Sequence, residues 1–335
     1  MASKDVLKHG ESDVPTINDN NSSDFEAYET YSRRMIDQKI AAAGAGSGGQ
    51  VTETGYDWTG KKIVYEGESI TMNGTIAYPE YVAEQTGSTP AKIGIAGVPI
   101  MGSYVGQAKD FRRRVSNIPA DADAVIIMGD CNAIDTDQGN EYSTDISKWA
   151  GRWNVVIDAI KRSFPTVPLF LVSEYPMAGK DANNKNVPVL FRALAQRYGG
   201  HFVCLAEESP LSLLYGQKAW GLTETDGVHC NHAAMPLFAD VIIKHLKSVP
   251  PYEWSGSDTL TMTTTELTVA AGATAEIEYA ITGDMSIQWT SDNMDVACVM
   301  GGVVYGMTAG TATITATTRN GNTAACTVTV TEAAE

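Results

Sequence analysis

A three-layer α/β domain followed by a small all-β sandwich is the fold class predicted by this 335-residue sequence, on two observations. Between residue 59 and about 248, continuous apolar runs alternate with helical stretches, the pattern of a parallel sheet covered on both faces. From about Asp258 the composition turns to Thr, Val, Ala and Gly in two-residue alternation, the pattern of short half-buried strands. Pro250-Pro251 marks the boundary. The chain therefore divides into a leader with an anchoring helix (1–46), a flexible linker (47–58), the α/β domain (59–248) and the sandwich (249–335).

Taken in order, residues 1 to about 22 are polar and rich in Asn, Asp and Ser, with little to fold around. Ser23-x-x-Glu26 then reads as a capping box. Phe25, Tyr28, Ser32, Met35, Ile36 and Ile40 follow at three- and four-residue steps. So short an amphipathic helix needs a partner surface. It either packs on its own chain, or assembles with copies of itself or docks on a larger particle. Ala41 to Gly49 is a flexible Gly-rich linker. In the α/β domain the expected strands are 63–65, 93–96, 124–128, 168–172 and 201–205, with helices over 149–164, 187–198 and 233–246. In the sandwich, alternation marks 259–262, 276–281, 286–290, 312–317 and 326–330, with a Gly/Asn turn at Arg319-Asn320-Gly321-Asn322.

Composition removes several classes of function. A net charge of −16, with 40 acidic against 24 basic residues, argues against a nucleic-acid partner, which needs clustered Lys and Arg. Five cysteines without a C-x-x-C pair make neither a disulfide framework nor a zinc pattern. The first ten residues lack the apolar core of a signal peptide, and no run approaches the ~18 apolar residues of a membrane span. No metal or organic cofactor is expected.

Ser69 carries the most information. It stands after an apolar run and Gly67-Glu68, at the C-terminal end of a strand, where such sheets bind ligands. Downstream, Asp226-Gly227-Val228-His229 supplies what a serine nucleophile requires: His229 as base and Asp226 to orient its imidazole. Two further loops follow predicted strands. Gly97 offers a backbone N–H with no side chain in the way, and the Asn132 amide could donate a second bond to an oxyanion. All four loops then converge on one edge of a parallel sheet.

These blocks, in this order, resemble the SGNH/GDSL hydrolase family over residues 59–248. The resemblance implies a flavodoxin-like three-layer fold and a serine esterase. Ser69 would be the nucleophile, with His229 and Asp226 completing the triad, and the oxyanion hole would comprise the N–H groups of Ser69 and Gly97 with the Asn132 amide. Three positions depart from the family pattern: Glu68 replaces its aspartate, Ala133 follows Asn132 where aspartate is usual, and Cys230 follows His229 where proline is common. The first two alter neighbours that brace the loops. For Cys131 and Cys230 a disulfide across the site and two partly buried thiols both fit, the thiols being the simpler reading.

Trp289-Thr290-Ser291, Gly302-Val303-Val304 and Ala309-Gly310-Thr311-Ala312-Thr313-Ile314-Thr315 resemble the landmarks of the bacterial Ig-like domain of the second group. Trp289 reads most simply as a core residue. The whole arrangement resembles a phage virion protein, such as a tail or head fibre. That resemblance implies synthesis in the host cytoplasm, a place on the virion surface, anchoring to virion structural proteins through the N-terminal segment, and a homo-oligomer with the trimer as one candidate. The substrate would be an acylated surface glycan, deacylated during adsorption. Two other readings stand beside it: a non-catalytic receptor-binding or decoration protein, and a secreted bacterial carbohydrate esterase.

Overall fold

The computed structural model describes residues 55–72, 77–98, 100, 111–130, 139–140, 142–177, 181–209, 228–230, 234–283 and 285–333, together with two N-terminal strands. The expected helix over 23–40 lies outside the described residues. Within the leader, Val6–His9 and Ser12–Pro15 pair antiparallel, where the sequence offered little to fold around. Residues 55–58, read as the end of the linker, are fastened instead. Tyr56 N–H donates to the Lys247 carbonyl at 3.0 Å, and buried Trp58 donates through Nε1 to the Leu246 carbonyl at 2.8 Å.

Five parallel strands form the central sheet: β1 (Lys62–Gly67), β2 (Thr89–Lys92), β3 (Ala124–Met128), β4 (Leu169–Ser173) and β5 (His201–Cys204). Their order is β2-β1-β3-β4-β5, and every neighbouring pair is parallel. That is the flavodoxin-like winding, with its switch point between β1 and β3. The strand expected at 93–96 is displaced to Thr89–Lys92. Only Ile93 and Ile95 continue the pairing, through N–H bonds to the carbonyls of Tyr65 and Gly67. Pro90 within Thr89–Lys92 hid the true strand, because proline is tolerated only where no ladder donor is needed; β2 is the edge strand.

Alternate residues of each strand point to opposite faces. Ile63, Tyr65, Ile126, Met128, Phe170 and Val172 pack with α2 (Tyr78–Thr86) and α7 (Met235–Lys247). Val64, Val125, Ile127, Leu169 and Leu171 pack with α4 (Trp149–Ser163) and α5 (Asp181–Tyr198). Three further short helices stand among the described residues of the domain: α1 (Ser69–Met72), α3 (Phe111–Arg114) and α6 (Leu205–Glu208). No described helix is long and apolar enough to cross a membrane.

Nine strands stand among the described residues of the C-terminal part. They are β6 (Thr259–Met262), β7 (Glu266–Ala270), β8 (Thr274–Glu276), β9 (Tyr279–Thr282), β10 (Ile287–Ser291), β11 (Ala297–Met300), β12 (Val303–Gly306), β13 (Gly310–Thr318) and β14 (Thr323–Thr331). They form sheets β10-β13-β14-β7, β8-β12-β11 and β9-β6. The single strand expected over 276–281 is two strands in different sheets. The chain crosses at Ile277 and Glu278, whose backbone groups pair with Gly302, Thr263 and Thr264. Trp289 is 3 % exposed and meets Tyr279 edge-on at 5.2 Å, as a core residue should. The sandwich sits against the α3–α4 side of the α/β domain. Gln288 donates to the Ser116 carbonyl at 2.9 Å, Arg319 bonds the Ala122 carbonyl and the Asp123 carboxylate, and Met300 enters the core beneath α4.

Candidate active site

The site begins where β1 runs out. Gly67 is the last residue of the strand and Ser69 the first of α1. A Cβ on Gly67 would lie 2.0 Å from Thr71 Oγ1 and 2.6 Å from Thr71 Cβ, so only glycine lets the helix turn close onto the strand. The turn leaves Ser69 partly exposed while Glu68 is buried. Gly97, at φ 70°, occupies an exposed turn past the end of β2, on the same edge as Ser69 because Ile95 N–H donates to the Gly67 carbonyl at 3.1 Å.

His229 arrives from 160 residues away in sequence and places Nε2 2.8 Å from Ser69 Oγ. With Nε2 facing the hydroxyl, Nδ1 is the nitrogen left for an orienting acceptor. Asp226 and Asn132 both lie outside the described residues, as does Cys131. Cys230 is a buried thiol. Among the described residues, no group of three or more His, Cys, Asp or Glu could hold a metal ion.

Several groups that fasten these loops were not foreseen. Asp130, two residues past β3, is fully buried. Its carboxylate accepts from Ile100 N–H at 3.0 Å and from Trp149 Nε1 at 3.1 Å. The loop after β3 is thus tied to the loop after β2 and to the start of α4. Tyr175, just past β4, donates its hydroxyl to the Val228 carbonyl. Beneath Ser69, Glu66 and Arg114 form a buried ion pair: Arg114 Nε donates to Glu66 Oε1 at 2.8 Å, and Nη2 donates to the same oxygen and to the Gly67 carbonyl. Burial raises the Glu66 carboxyl to about 7 in spite of Arg114, which pulls the other way. Glu66 Oε2 has no hydrogen-bond partner among the described residues. A charge in a sequence gives no sign of its burial, so Asp130, Glu66 and Arg114 carry no mark there that sets them apart from surface residues.

Sheet order, sheet edge and Ser–His contact together define a flavodoxin-like α/β domain, with a Ser–His pair at the C-terminal edge of its parallel sheet, joined to an all-β sandwich. Residues 258–328 match the family model described as bacterial Ig-like domain (group 2). Among solved structures, a protein from Lactobacillus plantarum is similar at 20% identity and a TM-score of 0.50, covering 57% of this chain and 98% of its own. An acetyl xylan esterase, AlAXEase, is similar at 18% identity and a TM-score of 0.42, covering 55% of this chain and 99% of its own. A GDSL-like lipase from Bacteroides ovatus is similar at 12% identity and a TM-score of 0.40, covering 57% of this chain and 100% of its own. No curated protein matches.

Proposed function

We propose that this chain is a serine esterase of the SGNH type, acting on O-acylated carbohydrate. The observation that carries the reading is the 2.8 Å approach of His229 Nε2 to Ser69 Oγ at the C-terminal edge of a parallel sheet. In the reaction, His229 Nε2 takes the hydroxyl proton as Ser69 Oγ attacks the ester carbonyl. The resulting oxyanion is held by the N–H groups of Ser69 and Gly97 and by the Asn132 amide. Collapse expels the sugar alkoxide, which takes the proton from His229 and leaves an acyl-serine. Water, deprotonated by the same nitrogen, then releases the acid and restores Ser69. Asp226 holds the Nδ1 side of the imidazole throughout.

The biological setting proposed is a phage virion. A polar leader, an anchoring helix and a Gly-rich linker would attach the protein to virion structural proteins as a homo-oligomer, and the Ig-like module would extend or position the esterase at a host surface. The Ser–His contact favours this enzymatic reading over a purely adhesive one.

Acetate release from a panel of acetylated polysaccharides tests the chemistry. Ser69→Ala should lower turnover by ~10³-fold or more with an unchanged melting temperature; a wild type no faster than this variant ends the esterase reading. Co-sedimentation with intact particles tests the setting, and recovery only from bacterial culture supernatant would sink it.

A further inference from the structure

The nucleophile and the base come from opposite ends of the α/β domain, and a chain of buried aromatic side chains joins them. Tyr175 follows β4, outside all four sequence blocks, and is 1% exposed. Its hydroxyl donates to the carbonyl of Val228, the residue immediately before His229. Its ring stacks on Phe238 of α7, with centroids 5.1 Å apart and planes 17° apart. Phe238 meets Tyr78 edge-on at 6.5 Å, and the Tyr78 hydroxyl lies 3.3 Å from Thr71 Oγ1. Thr71 stands in the same four-residue helix as Ser69. Phe238, Tyr78 and Thr71 are all fully buried.

Resting on the esterase reading, we propose that Tyr175 is a positioning residue that sets the Ser69–His229 distance by holding the Val228 carbonyl. A peptide carbonyl fixed by a buried hydroxyl fixes the plane of the following peptide, and so the point from which the His229 side chain departs. The stacked ring keeps that hydroxyl in place, because Phe238 packs on it and is in turn met by Tyr78 on the way to the nucleophile helix. A contact of 2.8 Å has little tolerance: displacement by about 1 Å breaks the hydrogen bond and can cost on the order of 10² in rate. Tyr175 is buried, and its hydroxyl goes to the residue before His229. It acts through His229, so its loss should appear in kcat and spare KM.

Tyr175→Phe keeps the ring and its stacking and removes only the donor. On a chromogenic acetyl ester its kcat should fall ~10- to 100-fold with KM within about twofold. The rate of Ser69 labelling by a fluorophosphonate should fall by a similar factor. Tyr65→Phe is the control. It removes a hydroxyl from the same aromatic cluster that has no hydrogen-bond partner among the described residues, and it should leave both rates near wild type. Wild-type kcat and labelling in Tyr175→Phe, or a rise confined to KM, overturns the inference while leaving the esterase reading intact. A wild type no faster than Ser69→Ala ends that reading and this inference with it. Should Tyr175→Phe fail to fold, Phe238→Leu decides: it removes the ring on which Tyr175 stacks and keeps the Tyr175 hydroxyl, kcat should fall at unchanged KM, and a kcat equal to wild type refutes the inference.

Discussion

Beneath the Ser69 turn, Glu66, Glu68, Arg114 and Asp130 are each less than 5% exposed. The sandwich core packs Ile287, Trp289, Val299, Ile314, Cys326 and Val328 together, and its buried polar residues among those described are Asp258, Ser286 and Thr318. One domain therefore buries several charges and the other almost none. Buried charges are expensive unless paired and hydrogen-bonded, so the α/β domain gives up stability to fix loops at one sheet edge. The sandwich has no such edge to fix, and alternation of Thr with Val, Ile and Ala suffices to fold it. Precision is concentrated where the proposed chemistry is, and plain burial elsewhere.

That contrast can be broken in four ways. The largest effect should come from the dyad. Ser69→Ala and His229→Ala should each cost ~10³-fold or more in kcat, and the double variant should be little worse than either, because the two act as a unit. Multiplicative losses in steady-state rates would show that they do not. In the sandwich, Ile314→Ala should destabilise by about 2–5 kcal/mol in urea unfolding while leaving kcat on a soluble ester unchanged. A matching loss of activity would mean that the two domains are energetically one.

The third prediction concerns pH. The Glu66 carboxyl sits at about 7 in the folded protein against an ordinary 4.5. Its stabilising contribution is thus fully present below about 4.5 and is lost as pH rises through about 7, since the folded state holds a proton that the unfolded chain has released. Unfolding free energy should fall by about 3 kcal/mol across that window, and Glu66→Gln should flatten the profile. A wild-type curve that rises with pH relative to that of Glu66→Gln would show that Arg114 outweighs burial. The smallest expected effect is that of Trp149→Phe, which removes the indole donor to the Asp130 carboxylate. It should cost about 1–3 kcal/mol, with a modest fall in kcat as the loop after β3 loosens. Equal stability and rate would remove Asp130 as a brace.

How much of this was legible in sequence varied with the kind of signal. The runs at 124–128 and 201–205 lie within one residue of the observed strands, because strands buried on both faces are unbroken apolar runs. Thr89–Lys92 was missed, since a half-exposed edge strand with a proline has no such run. Likewise 276–281 alternates continuously although the chain changes sheets within it, because alternation records burial and is blind to which sheet supplies it. In the site, Ser69 and His229 stood out by residue type and by position after a strand or within a D-x-x-H spacing. Asp130, Tyr175, Glu66 and Arg114 did not, because nothing in their neighbours tells a buried brace from an ordinary residue.

The sequence by itself determined the two fold classes, their order along the chain, and which serine and histidine to set side by side. Local pattern suffices there, since apolar periodicity and turn chemistry act over a few residues. Only the tertiary structure decided the 2.8 Å approach of those two side chains, the burial that raises Glu66, and the aromatic path from Thr71 to Val228. Those depend on contacts between residues up to 160 positions apart, and the packing of the whole sheet brings them together.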